Sequence, residues 1–151
     1  MSNIIEKDII VKRINGIQQE LAELQKLGNL EFEEFSGGNG FKLAQFHLHR
    51  ALEGVFNISA HILSRLPGGQ ATSYKEIAIK LGEAEVIDKN FAETKLSLMA
   101  KYRNRLVHFY ADISSKEIYG IIKNDLGDFE IFLNAIKNVL ENPKKFDLKI
   151  D

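Results

Sequence analysis

Residues 101–110 read KYRNRLVHFY, and in this stretch a helical hydrophobic pattern contains one residue that packing does not explain. Placed at about 100° per residue from Phe91 onward, the apolar side chains share one broad face. They are Ala92, Leu96, Met99, Leu106, Val107 and Tyr110. Arg103 falls in the middle of this face, where an uncompensated buried charge is costly. Either Arg103 has a specific anionic partner or the face borders something other than a dry core, and both alternatives indicate a site.

The segments before this stretch read as helices. Apolar residues spaced three or four apart predict a first helix, capped by Ser2 or Asn3 and ending at residues 27–28. Residues 28–40, with several acids and glycines, are expected to form a loop, and residues 41–66 a second long helix. One side of that helix carries a polar line, interpreted either as an exposed face or as one wall of a polar cleft. The line comprises Arg50, Glu53, Gly54, Asn57 and His61.

Three N-terminal capping signals place the remaining helices. A capping box at Ser73 predicts a short helix over residues 74–81, and Asp88 is expected to cap the helix that carries residues 101–110. A second capping box at Ser114 predicts a final helix through about Glu141. No segment reads as a strand. The whole chain, residues 1–151, is therefore predicted to be one all-α domain, a bundle of four major helices plus a short one, with a charged tail at about 144–151.

Composition narrows the function classes. The 151 residues are 44% hydrophobic and 27% charged, which allows a substantial core. The net charge of −1 argues against a surface coated in basic charge for nucleic acid. A local basic patch is nevertheless present between residues 93 and 110, formed by Lys95, Lys101, Arg103 and Arg105. The chain has no cysteine, which excludes thiolate chemistry and fits a reducing cytoplasm. Residues 1–8 include acids and no long apolar run, so they are not expected to form a signal peptide or a membrane span.

Metal and triad chemistry have little support in the sequence. Two of the four histidines, His47 and His49, are two residues apart and would point to different sides of a helix. No His-Glu-x-x-His or di-iron Glu-x-x-His pair occurs, so neither a metal nor another cofactor is predicted. A Ser-His-Asp triad would need a nucleophile elbow, which the sequence does not contain.

Four candidate residues remain, and their types suit metal-independent cleavage of a phosphodiester. They are Arg103, Asn104, His108 and Tyr110. Histidine moves protons near neutral pH, and arginine holds a phosphate in bidentate fashion. Asparagine can orient either partner. By spacing alone this set is as compatible with a buried arginine paired to a core acid as with a functional site.

The block from Arg103 to Tyr110 also resembles the Arg-x4-His-x-Tyr motif of HepT-like proteins, which belong to the HEPN superfamily (higher eukaryote and prokaryote nucleotide-binding). Residues 49–63 are similar to the second helix of that family, and residues 74–78 and the helix after Asp88 follow in the expected order. The resemblance covers roughly residues 41–140. Lys101 and Tyr102 stand where relatives often carry a small or apolar pair, a departure that concerns the shape of the site.

The resemblance implies an all-α HEPN bundle that forms a homodimer and acts in the cytoplasm as the toxin of a type VII-like toxin–antitoxin pair. Arg103 and His108 would be the catalytic pair of a metal-independent endoribonuclease, accompanied by Asn104. Tyr110 would be the tyrosine that an MntA-like nucleotidyltransferase antitoxin modifies with AMP. RNA would be the substrate, with Lys101 and Arg105 as candidate contacts.

Two alternatives remain open. The first is a non-catalytic HEPN module that binds a nucleotide or a nucleotidyltransferase partner, and the second is a helical dimer in which Arg103 is merely salt-bridged. Geometry adds a constraint, since Arg103 and His108 lie about 140° apart on a straight helix. They can face one substrate only if the helix ends or bends near His108, if a long side chain reaches round, or if two chains contribute. Tyr110 falls on the same face as Arg103.

Overall fold

The computed structural model describes residues 2–108 and 113–151, and these form the expected all-α bundle. The elements run in the order β1 (Ile4–Ile5), α1 (Lys7–Gly28), α2 (Phe32–Gly37), α3 (Gly40–Ser64), α4 (Tyr74–Glu83), α5 (Lys89–Phe91), a π-helical segment (Ala92–Leu96), α6 (Ser97–Val107), α7 (Ser115–Asn124), α8 (Gly127–Glu141), a 3-10 turn (Pro143–Phe146) and β2 (Lys149–Ile150).

Helices α1 and α3 form the centre of the bundle. The apolar residues that give α1 its helical spacing are all buried, namely Ile10, Ile14, Ile17, Leu21 and Leu24. The buried apolar residues of α3 include Leu48, Leu52, Val55 and Ile62. Gly54 lets the two helices approach closely, because a Cβ at this position would lie 2.6 Å from Cγ1 of Ile17. The one buried polar side chain among the described residues, Ser59, donates a hydrogen bond to the carbonyl of Val55 at 2.8 Å, so its burial leaves no unmet donor.

The two ends of the chain differ from the prediction. Ile4–Ile5 and Lys149–Ile150 pair as two short parallel strands, so the expectation of no strand is wrong. This pairing keeps residues 4 and 5 extended, and α1 therefore begins at Lys7 and is not capped by Ser2 or Asn3. The predicted charged tail also packs on the core, since Phe146 and Leu148 are buried.

Two further boundaries are corrected. The predicted loop of residues 28–40 contains α2, which inserts the fully buried Phe35 into the core while its acids stay exposed. The predicted final helix is two helices, α7 and α8, separated at Asp125 and Leu126. The caps at Ser73, Asp88 and Ser114 are confirmed, because each side chain accepts a hydrogen bond from a backbone N–H of the first turn. No described helix combines the length and hydropathy needed to cross a bilayer.

Candidate functional site

The helix that carries the Arg103 motif is interrupted before it reaches the motif. Asp88 starts it, and residues 92–96 then adopt π-helical geometry, with the Ser97 hydroxyl donating to the carbonyl of Ala92 at 2.8 Å. A π turn takes one more residue than an α turn, so residues beyond Leu96 are rotated relative to a straight projection from Phe91. The single apolar face drawn from the sequence is wrong in this respect. Met99 is buried, while Leu106 and Val107 are only half-buried.

Arg103 has the anionic partner that its position requires. Its Nε donates to Oε1 of Glu53 on α3 at 2.5 Å, and its Nη1 donates to Oδ1 of Asn104 at 3.4 Å. The guanidinium carbon lies 4.1 Å from the ring centroid of Tyr74, the first residue of α4. Tyr74 is itself held by an edge-to-face contact with the buried Phe56. Arg103 is therefore fixed by an acid on one helix and an aromatic ring on another.

His49 adds a histidine to this cluster. Its Nε2 lies 3.5 Å from Oε1 of Glu53, the oxygen that also accepts from Arg103. This nitrogen is buried, and nothing in the described part of the chain hydrogen-bonds to it. Glu53 is thus shared between a guanidinium and an imidazole one helical turn away along α3. The cluster of His49, Glu53, Tyr74 and Arg103 is called the arginine cluster below.

His108 lies just beyond the end of α6. The helix stops at Val107, and His108 takes an extended conformation with φ −103° and ψ 116°. Of the arrangements that could reconcile the spacing of Arg103 and His108, the ending of the helix near His108 is the one observed in the backbone. The side chains of His108, Asn104 and Lys101 are exposed. Tyr110 lies outside the described residues.

The structure places Arg105 in a different environment from Arg103. Its Nη1 and Nη2 donate to the two carboxylate oxygens of Glu117 on α7, at 2.6 and 3.1 Å. The hydroxyl of Tyr102 donates to the same carboxylate at 2.7 Å. The bonds from Arg105 lower the pKa of Glu117, while burial and then the neighbouring Glu117 raise the pKa of Tyr102. This trio, the α6–α7 clamp, joins the two helices that flank residues 108–114.

Sequence reasoning missed three members of the arginine cluster. The sequence places Glu53 in a polar line on α3 but does not pair it with Arg103, and it indicates no role for His49 or Tyr74. The one available signal was the arginine in an apolar face, which requires an acid from another helix. The interpretation of the polar line as one wall of a cleft is closer to the structure, because Glu53 faces α6 and Arg50 bonds Glu20 of α1 at 2.8 Å.

The comparisons with known proteins show the family of the chain. The family model described as Ribonuclease HepT-like matches residues 17–136. The chain belongs to this family. The family resemblance drawn from residues 103–110 is thereby confirmed, as is the expectation of a ribonuclease at the level of the family.

Two relatives span almost the full length of the chain. A tRNA nuclease HepT from Aphanizomenon flos-aquae (strain 2012/KM1/D3) is 28% identical over 141 residues, covering 93% of this chain and 95% of the relative. An mRNA nuclease HepT from Shewanella oneidensis is 25% identical over 133 residues, covering 86% of this chain and 97% of the relative.

A solved structure confirms the fold. A chain from a structure described as "Crystal structure of the toxin-antitoxin with AMP-PNP" superposes with a TM-score of 0.78 at 23% identity, covering 86% of this chain and 98% of that one. At this identity the likeness concerns the fold alone, which is the HepT-like helical bundle.

Proposed function

We propose that this HepT-like chain is the toxin of a toxin–antitoxin pair, a metal-independent endoribonuclease that cleaves RNA at the arginine cluster and His108. The observation that carries the proposal is the placement of Arg103. It is a guanidinium held between Glu53 and Tyr74, on a helix that ends one residue before an exposed histidine. The names of the two HepT nucleases support RNA as the substrate class.

In the proposed reaction RNA supplies its own nucleophile. The 2′-hydroxyl oxygen forms a bond to phosphorus as its proton passes to a base, and the bond from phosphorus to the 5′-oxygen breaks as that oxygen gains a proton. The products are a 2′,3′-cyclic phosphate and a 5′-hydroxyl. His108 acts as acid or base, which is worth about 10²–10⁴-fold in rate. Arg103 stabilises the charge that develops on the phosphate, with Asn104 orienting it.

Glu53 has a positioning role in this scheme. An arginine side chain has several rotatable bonds. Glu53 holds Nε and the ring of Tyr74 holds the guanidinium plane, so much of this freedom is already lost before substrate binds. The two Nη atoms are further donor nitrogens of the guanidinium, and in the described part of the chain Nη1 makes only a long hydrogen bond, to Asn104. Lys101, exposed on α6, is available to contact RNA. Arg105, held by Glu117, would contribute less directly.

The proposed regulation and assembly follow the family. An MntA-like nucleotidyltransferase antitoxin transfers AMP to Tyr110, seven residues beyond Arg103. A bulky anion there would compete with the substrate phosphate for Arg103. The chain is proposed to work as a homodimer in the cytoplasm, so that two motifs line one cleft.

The test is RNA cleavage by the wild type and by His108→Ala and Arg103→Lys. Each variant should lose activity by at least about a hundred-fold, because the first lacks the proton-transfer group and the second lacks the planar fork. Lys137→Ala, which removes an exposed cation on α8, is the matched control and should cleave like the wild type. Equal cleavage by His108→Ala and the wild type would show the assignment to be wrong. After incubation with antitoxin and ATP, mass spectrometry should place AMP on Tyr110.

A non-catalytic module is the second candidate, and one observation favours it. The Arg103 guanidinium is already neutralised by Glu53, so a phosphate must compete with a carboxylate at hydrogen-bond distance. Such a module would bind a nucleotide or a nucleotidyltransferase partner, would leave the length of RNA unchanged, and would keep this binding in His108→Ala.

A further inference from the structure

A groove runs along the surface between α1 and α3 and reaches the arginine cluster at Glu53. It lies on the side of α3 that faces α1, and Gly54 forms part of its floor where it meets Ile17. Among the polar and aromatic side chains that line it are Lys12, Arg13, Phe46, Arg50, Glu53 and Asn57.

Four of these residues form a line along α3. Phe46, Arg50, Glu53 and Asn57 follow at spacings of four, three and four, which places them on one face of the helix. With a rise of about 1.5 Å per residue, Phe46 and Glu53 are separated by roughly 10 Å along the helix axis. The line therefore leads from Arg103, through its partner Glu53, to an aromatic ring two turns away.

Phe46 is the most exposed large apolar side chain among the described residues, at 56%. The guanidinium carbon of Arg50 lies 5.4 Å from its ring centroid, and the ring of His47 meets it edge-on at 5.2 Å. A phenylalanine held this way keeps its ring open to solvent at the cost of unburied apolar surface. Such a ring, beside cations, suits stacking with a nucleobase.

The charge balance of the groove is positive. Its two acids are already paired, Glu20 with Arg50 at 2.8 Å and with His47 at 2.6 Å, and Glu53 with Arg103. Lys12 and Arg13 remain on α1, and within residues 2–108 and 113–151 neither forms an ion pair. The one hydrogen bond that Arg13 donates to a described residue is long, at 3.4 Å to the carbonyl of Asn57. The local excess of cations contrasts with the net charge of −1 of the whole chain.

We infer that this groove binds the RNA strand adjoining the scissile phosphate, with a base stacked on Phe46 and backbone phosphates at Lys12 and Arg13. The inference rests on the proposed function, which places the cut at Arg103. Interleaved cations and an open aromatic ring are the features of single-strand binding, in which stacking supplies affinity without sequence readout. A protein interface would instead be expected to place its exposed aromatic in a patch depleted of charge.

Binding is measured separately from cleavage. The probe is a fluorescein-labelled, fully 2′-O-methylated single-stranded RNA of mixed sequence, which lacks the nucleophile and cannot be cut. Phe46→Ala should weaken its binding about ten-fold, as expected for the loss of one base stack, and Phe46→Tyr should restore most of the affinity. Leu43→Ala is the matched control, because Leu43 is 46% exposed on the same helix and does not line the groove. It should bind like the wild type.

The salt dependence of RNA binding tests the proposed role of Lys12 and Arg13. Replacing Lys12 or Arg13 with Gln should reduce the slope of log affinity against log salt by about 0.7 for each phosphate that the cation neutralises in the wild type. If Phe46→Ala binds the probe like Leu43→Ala, the inference is overturned. A change of oligomeric state or of antitoxin binding in Phe46→Ala, with RNA affinity intact, would also overturn it and would assign the groove to a protein partner. If the wild type binds the probe more tightly than Phe46→Ala but cuts no natural RNA, the proposed nuclease activity is refuted and the groove remains assigned as an RNA-binding surface.

Discussion

Glu117→Gln removes the charge at the centre of the α6–α7 clamp and keeps the shape of the side chain. In the wild type the carboxylate accepts two bonds from Arg105 and one from Tyr102, so the neutral amide leaves a guanidinium without its bidentate partner. The Glu117 and Arg105 side chains are 30% and 27% exposed, so solvent screens the pair substantially. We expect Glu117→Gln to lower the free energy of unfolding by about 1–1.5 kcal/mol, which is more than the loss of an exposed ion pair costs and less than the loss of a buried one.

The assay is reversible thermal unfolding at neutral pH. For a chain of this length the loss corresponds to a decrease in Tm of about 3–6 °C. Glu130→Gln on α8 is the matched control, because Glu130 is exposed and pairs with no cation in the described residues, and it should change stability by less than about 0.5 kcal/mol. A double-mutant cycle of Glu117→Gln with Arg105→Gln isolates the pair, and coupling indistinguishable from zero would refute the reasoning.

The pH dependence of the same variant has a definite sign. Because the bonds from Arg105 lower the pKa of Glu117, the clamp contributes stability above the ordinary pKa of a glutamate, and this is lost as the pH falls through the lowered pKa. The stability difference between the wild type and Glu117→Gln should therefore be constant near neutral pH and vanish in acid. A difference that persists in strong acid would mean that the amide perturbs packing.

Two further changes probe how the bundle is assembled. Gly82→Ala should lower the free energy of unfolding by about 1–3 kcal/mol, because the new Cβ would lie 2.7 Å from Cβ of Ala92 in the π-helical segment. Gly120→Ala lies in a helix and has nothing within 4 Å of the new Cβ, so it should instead raise the free energy of unfolding by about 0.5–1 kcal/mol. Urea unfolding measures both changes. His61 accepts a hydrogen bond at Nε2 from the backbone N–H of Glu6 at 3.3 Å, and burial lowers its pKa, with Arg65 adding to this. Its contribution to stability should be present above the ordinary pKa of histidine and disappear as the pH falls through the lowered value. An NMR titration that gave His61 a pKa at or above that of an ordinary histidine would contradict this.

The elements that local sequence determines were predictable. The apolar spacing in α1 is the amphipathic pattern of a helix, and the caps at Ser73, Asp88 and Ser114 are bonds within one turn. The strand pair was not predictable, because two residues at each end of the chain carry no period and their contact is fully non-local. The break at Asp125 was hidden since Ile121, Ile122, Leu126 and Phe129 keep helical spacing across it.

The candidate site was predictable in its motif and not in its surroundings. The residue types and the place of Arg103 in an apolar face indicate Arg103 and His108 as candidates, and the family resemblance adds their catalytic roles. The need for an acid beside Arg103 follows from the cost of burying its charge. The identity of that acid depends on how α3 packs against α6, fifty residues apart in the chain. No local pattern distinguishes Glu53 from the exposed acids of α1 or α2.

Two departures from the ideal helix set the directions of Arg103 and His108, and only the second, the end of α6 at Val107, changes the 140° between them. The π-helical segment adds a residue before the motif, which sets the rotation of α6 and so directs Arg103 toward Glu53 and Tyr74. The end of α6 at Val107 then takes His108 out of helical geometry, so its direction is set by an extended backbone. Arg103 is held by its contacts with Glu53 and Tyr74, whereas the direction of His108 follows from its own extended backbone after the end of α6. The clamp at Glu117 joins α6 and α7, so it is expected to influence the histidine that follows α6 more than the arginine.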